Sequence, residues 1–186
     1  LTNEEHDRLL IERIKEEDHF AFRQLIEKYK DDALTLATSI LKNQAVAEDV
    51  LQEVFIKVYE KIKSFKYQST FYTWLYRIVV NRSYNELRKT KNKSFTQPQE
   101  ETLTAIESTD EVDSNDLNRI ITQALNLMKP DEALVLRLFY LSELKIDEVQ
   151  EITRFSKSKV KVTLHRARKS LAVILKKQLG KEIEDL

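Results

Sequence analysis

The sequence predicts an all-α protein of two small helical domains, an amino-terminal helix bundle and a carboxy-terminal helix-turn-helix unit, joined by a flexible acidic linker. Three observations carry that expectation. The 186 residues include one Gly and two Pro, too few turn formers for hairpins, against abundant Leu, Ile, Lys and Glu, which favour helix. Apolar residues recur at three- and four-residue spacing through most of the chain. That periodicity fades between about residues 90 and 116, where Thr, Ser, Gln and Glu dominate and Pro98 sits. A hydrophobic share of 41% is enough to build cores on either side of the gap.

The first helix is expected over residues 4–16, from Leu9, Leu10 and Ile14. The second, over 18–42, follows from Phe22, Leu25, Ile26, Tyr29, Leu36 and Ile40. Val50, Val54, Ile56, Val58 and Ile62 predict a third over 46–65. A fourth opens at the capping pair Ser69 and Thr70 and runs to about residue 89. These helices form a domain over residues 1–92, followed by a linker over 93–116. The second domain, 117–180, begins with a helix over 117–128 and continues with one that has Pro130 in its first turn. A short helix over 146–152 then precedes a long basic helix that opens at Ser156.

A formal net charge of zero hides strong segregation. Residues 97–116 hold seven acids and no Lys or Arg, whereas residues 156–181 hold nine Lys or Arg and no acid. Such sorting suggests a polyanion partner for the basic part and a solvated tether for the acidic one. With no Cys, disulfides, thiolate zinc sites and thiol nucleophiles are excluded. Nothing approaches the roughly 18 apolar residues of a spanning helix, and LTNEEHDRLL is unlike a signal peptide, so a cytoplasmic address is expected.

On a helical wheel Val160, Leu164, Ala167 and Leu171 form a narrow core stripe. Ser158, Val162, His165 and Lys169 occupy the opposite face, flanked by Lys159, Lys161, Arg166 and Arg168. An apolar Val within a basic exposed face suits a DNA groove, where its methyls can touch thymine and Lys or His can reach base edges. Short helix, tight turn and basic helix is the helix-turn-helix layout, although a solvated basic helix produces the same charge.

Two further patterns lie upstream. Asp49, Gln52, Glu53 and Lys57 are polar neighbours at helical spacing, and a solvated face explains them as well as a docking strip does. Phe71, Trp74, Leu75 and Ile78 share a core face, leaving Tyr72 and Tyr76 pointing elsewhere. Followed by Asn81, Arg82, Arg88 and Lys89, that pair suits stacking on unpaired bases beside a phosphate track, and it equally suits two half-buried tyrosines.

The strings DVLQEVFIKVY, STFYTWLYRIVVNRSYNELRK, LMKPDEALVLRLFYLSELKIDEVQEI and SKVKVTLHRARKSL, in this order, resemble bacterial sigma factors of the extracytoplasmic function (ECF) type, of the sigma-70 family. That resemblance implies a promoter-specificity subunit whose partners are core RNA polymerase, through its beta-prime clamp and beta flap, and promoter DNA. An anti-sigma factor is a further candidate partner. It implies core-docking positions at Asp49, Gln52, Glu53 and Phe55. Thr70, Tyr72, Thr73, Trp74 and Tyr76 fall in the implied melting segment, with Asn81, Arg82, Asn85, Arg88 and Lys89 in the minus-ten reading helix. Ser158, Lys161, Val162, His165 and Arg166 are implied to face the minus-thirty-five element, with Arg168 and Lys169 near phosphates. The linker is implied to thread through the polymerase toward the RNA exit path.

The chain departs from the family pattern at four places. Arg154 stands where a turn Gly is usual, at a cost on the order of 1 kcal/mol if held left-handed, which leaves the shape of the turn open. Lys145 replaces a capping Ser, Thr163 a common Arg, and Asn85 a usual Asp.

A stand-alone helix-turn-helix regulator acting as a dimer is the alternative, and it leaves the upstream patterns without a task. Enzyme chemistry has little to build on. Glu48, Asp49 and Glu53 could hold a divalent cation, but there is no second convergent carboxylate pair and no Gly-rich phosphate loop. His6, His19 and His165 are scattered. The expectation is a protein with no chemistry of its own, no cofactor and no metal.

Overall fold

The computed structural model describes residues 2–94 and 115–184. Every regular element among them is helical. The chain divides into two compact units, one carrying the first four helices and the other the remainder, apart from a few residues of the penultimate helix. Of the expected linker, residues 95–114 lie outside the described residues.

In the amino-terminal unit, α1 (Asn3–Lys15), α2 (His19–Leu41), α3 (Gln44–Ile62) and α4 (Phe71–Ser94) form a bundle. Each start has a local cause. Thr2 Oγ1 accepts from Glu5 N at 3.2 Å while Glu5 Oε2 accepts from Thr2 N at 2.8 Å, a reciprocal capping box. Asp18 caps α2 through Phe20 N and Ala21 N, and Arg13 donates to its other oxygen at 2.7 Å. These bonds, the one from Ala21 N foremost, hold the Asp18 carboxyl below its usual range. Asn43 caps α3 through Val46 N, and Thr70 caps α4 through Thr73 N, one member of the expected pair. α4 continues to Ser94, beyond the expected end near residue 89.

The bundle core holds Leu25, Leu36, Ile40, Val50, Val54, Val58, Ile62, Phe71, Leu75 and Val79, each worth about 1.5–3 kcal/mol when buried. Two residues that share the apolar periodicity stand outside it. Leu9 is exposed, and Ile56 is 62% exposed on the outer face of α3.

The second unit contains α5 (Asn115–Leu127), α6 (Pro130–Leu136), α7 (Ile146–Thr153) and α8 (Lys157–Glu184). Pro130 occupies the first turn of α6, where its missing N–H costs nothing. Leu125, Met128, Ala133, Leu136 and Ala167 form its core, with Ile121, Leu171 and Ile174 packed against them. α6 runs directly into a single π turn, Arg137–Leu141, which carries one residue more per turn and re-aims the side chains after it.

With one Gly, placed inside α8, the chain closes its turns on other residues. Glu17, Lys42, Tyr67, Glu143 and Arg154 all have left-handed φ. Arg154, at φ 59° and ψ 20°, therefore keeps the left-handed helix stop that a Gly would supply, and its N–H bonds Gln150 O at 2.8 Å. The turn left open by the sequence is thus the left-handed one. Arg154→Gly relieves roughly 1–2 kcal/mol of strain and loses roughly 0.4–1 to unfolded-state entropy, a net gain on the order of 0.5 kcal/mol. Thermal unfolding of the full chain should show a midpoint higher by a few degrees, whereas a lower midpoint would assign the Arg154 side chain a stabilising contact. At the other end of α7, Lys145 makes no capping bond itself, but Glu148 Oε2 accepts from Lys145 N at 2.8 Å.

Candidate nucleic-acid interface

α8 separates its faces as its period requires. Val160, Leu164 and Ala167 are buried and Leu171 is half-buried, whereas Ser158, Lys161, Val162, His165, Arg166, Arg168 and Lys169 are all exposed. Ser156 Oγ accepts from Lys159 N at 3.2 Å and fixes where the helix begins. The flanking cations at the start of α8 are occupied within the unit. Lys157 pairs with Asp147 at 2.9 Å, and Lys159 with Asp131 at 3.3 Å while its ammonium lies 3.4 Å from the Phe155 ring centre. Lys161, His165 and Arg166 have no ion pair among the described residues. Thr163, at the position where Arg is common, is buried.

The π turn supplies a residue that periodicity did not single out. Tyr140 Oη accepts from Arg168 Nε at 2.7 Å, and the guanidinium carbon lies 5.5 Å from the ring centre. Arg168 is thus held against an aromatic face with the rest of its donors outward.

In the first unit Asp49, Gln52 and Glu53 are exposed on α3, Phe55 is half-buried, and Ile56 adds an apolar group to that strip. On α4, Asn81, Asn85, Arg88 and Lys89 are exposed and Arg82 is half-buried. A groove of about 220 Å³ lies between the two helices, lined by Glu53, Lys57, Ile78, Asn81, Arg82 and Asn85. Arg82 bridges it. Its Nε donates to Glu53 Oε2 at 2.6 Å, its Nη2 also contacts that oxygen, and its Nη1 donates to Glu86 Oε2 at 3.0 Å.

The aromatic segment is largely enclosed. Trp74 is half-buried against Phe65 and Phe71, and Thr73 is buried. Tyr76 is only 2% exposed, and Tyr72 stacks on it with ring centres 3.9 Å apart. The two rings therefore stack on one another in place of forming an open platform, which leaves Tyr72 and Trp74 as the partly open rings. A second groove, of about 420 Å³, runs between α1 and the start of α4, with Asp7, Arg8, Tyr67, Ser69, Thr70 and Phe71 on its walls. Arg8 and Lys15 both lie over the Tyr67 ring, whose hydroxyl donates to Glu12.

Among the described residues no group of His, Asp and Glu is placed to hold a metal ion, and no helix is long and apolar enough to cross a membrane.

The described residues thus comprise a helical bundle with a polar face on α3, and a helix-turn-helix unit whose last helix leaves a mixed basic and apolar face outward. Residues 25–93 match the family described as sigma-70 region 2, and residues 118–171 match sigma-70 region 4. The chain is 32% identical to the ECF RNA polymerase sigma factor SigW of Bacillus subtilis, over 87% of this chain and 92% of that one. It is 31% identical to the ECF RNA polymerase sigma-E factor of Haemophilus influenzae, over 89% and 93%. The fold resembles that of the sigma factor RpoE in complex with the anti-sigma factor NepR from Bartonella quintana, with a TM-score of 0.73 at 24% identity over 83% of this chain and 96% of that one. It also resembles CnrH in complex with the cytosolic domain of CnrY, with a TM-score of 0.63 at 19% identity over 91% and 97%. The chain belongs to the ECF sigma factors of the sigma-70 family.

Proposed function

We propose that this sigma factor docks on core RNA polymerase through Asp49, Gln52, Glu53 and Phe55, with Ile56 beside them, and reads promoters with α4 and α8. Asn81, Asn85, Arg88 and Lys89 face the minus-ten element, with Tyr72 and Trp74 as the rings open to an unpaired base. Ser158, Lys161, Val162, His165 and Arg166 face the minus-thirty-five duplex, and Arg168 and Lys169 meet phosphates. The observation that supports this most is the division of α8, whose apolar stripe is spent on the core while a mixed apolar and basic set is left outward. No step of chemistry is assigned to the protein. It works by holding two weak readers at the spacing core polymerase sets, so that the second contact is made at a high effective concentration.

The experiment is runoff transcription with purified core polymerase over a promoter library. Initiation is expected only with both proteins present and only on a subset of promoters. A protein that bound duplex operators as a dimer and directed no initiation would overturn this reading and favour the stand-alone regulator. The solved sigma factor RpoE was captured with the anti-sigma factor NepR, and CnrH with the cytosolic domain of CnrY. An anti-sigma factor is accordingly proposed as a further partner of this chain, tested by co-purification from cells that carry the tagged protein.

A further inference from the structure

Glu53 lies on the docking strip and Arg82 on the DNA-reading helix, yet the two side chains are joined across the α3–α4 groove. A guanidinium binds phosphate best through its fork of parallel N–H donors. Here that fork is already filled: Nε and Nη2 face Glu53, and Nη1 faces Glu86. Burial works against the charge of Arg82, and the bonds to Glu53 and Glu86 more than offset it, which leaves its pKa above the ordinary value. Glu86, one turn along the same helix, is held below the usual carboxylate range, first by its bond from Arg82. The two carboxylates differ in access. The Glu53 side chain is 58% exposed and the Glu86 side chain 25% exposed, so a cation from outside can reach the first far more readily than the second.

We propose that Glu53 masks Arg82 in the free protein and that docking on core polymerase, by drawing Glu53 to a cation of the partner, releases Arg82 to a phosphate of the minus-ten strand. Glu86 is the positioning residue that keeps Arg82 aimed once Glu53 has left. Core binding and single-strand binding are then coupled through one ion pair, and by linkage the coupling is reciprocal. The inference rests on the proposed reading of α3 and α4, and it adds a residue shared by the two surfaces.

The test compares Glu53→Gln with the native full-length chain, alone and in holoenzyme, using short fluorescent single-stranded oligonucleotides of mixed sequence. Arg82 would meet phosphate without regard to base, so a mixed sequence suffices. Glu53→Gln should weaken binding to core polymerase while tightening oligonucleotide binding by the free protein about three- to fivefold, the scale of one exposed ion pair. One added phosphate contact should also steepen the salt dependence of that binding by about 0.7 in the log–log slope. Mere removal of a negative charge is controlled by Glu60→Gln on the same helix, which is exposed and outside the groove. Adding Arg82→Gln to Glu53→Gln should erase the gain. A gain that survives in the double variant, or that Glu60→Gln matches, would overturn the mask, as would no gain at all. If Arg82→Gln leaves oligonucleotide binding by the holoenzyme unchanged, the assignment of Arg82 to DNA falls together with the mask. A normal Arg82→Gln loss without a Glu53→Gln gain removes the mask alone.

Discussion

Asp7→Ala should lower the stability of the amino-terminal bundle by roughly 2–4 kcal/mol. Asp7 is only 5% exposed on α1, and its carboxylate accepts from Tyr29 Oη and Lys28 Nζ, both on α2. Burial first, and then the bond to Asp7, push the Tyr29 phenol well above its ordinary pKa, so Tyr29 remains a donor at any working pH. Truncation strands that buried hydroxyl without an acceptor, which is the larger part of the cost. Lys28 loses less, because its side chain is 22% exposed and can turn its ammonium to water. Asp7→Asn keeps an acceptor for the phenol while losing the ion pair, and should cost about 1 kcal/mol. The expected order in thermal or urea unfolding of the full chain is native, Asn, Ala. Hydrogen exchange should locate the loss in α1 and α2.

The consequence reaches the DNA face. α1 precedes residues 25–93, which match region 2, so the family resemblance assigns it no task. It forms one wall of the groove that ends at Ser69, Thr70 and Phe71, where the proposed melting segment begins. An α1 that frays in Asp7→Ala should therefore reduce promoter opening more than binding to core polymerase. Equal losses in both would indicate general unfolding.

How far this could be read from sequence depends on whether the cause is local. Apolar spacing and the caps at Thr70 and Ser156 are local, and they placed the helix starts within a few residues. The faces of α8 were legible for the same reason, since a single helical period separates Val160, Leu164 and Ala167 from the rest. The π turn was not, because RLFYL has no residue that forbids an ordinary helix. Arg154 left the turn open in the sequence, and the structure holds it left-handed, with its N–H bonded to Gln150 O. Tyr72 and Tyr76 were ambiguous because a polar-tipped ring at i and i+4 can stack on its neighbour as readily as on a base. Glu53 and Arg82 are 29 residues apart, and each alone fitted a single role. Only the approach of α3 and α4 shows that the two side chains are joined.

Lys161→Ala should relax promoter preference at one base pair of the minus-thirty-five element, with about 1–3 kcal/mol of discrimination lost there. Lys161 stands beside Val162 on the exposed face of α8, without an ion pair among the described residues, so its ammonium is not already committed. Arg168 offers the contrast within the same helix. Tyr140 fixes its guanidinium by a hydrogen bond to Nε, a geometry that suits a phosphate met in one orientation. Arg168→Ala should thus weaken all promoter variants alike and lower the salt slope by about 0.9. Holoenzyme binding to a set of single-base variants, drawn from promoters selected in the transcription library, separates the two patterns. The affinity of Lys161→Ala should converge with that of the native protein on variants already mismatched at its base pair and fall behind on the preferred one. A uniform loss across the set would make Lys161 a phosphate contact and move base reading on α8 to Val162 and His165. Because a base contact depends on the neighbouring pair while a phosphate contact does not, the ratio between variants decides the role of Lys161 and the absolute affinity does not.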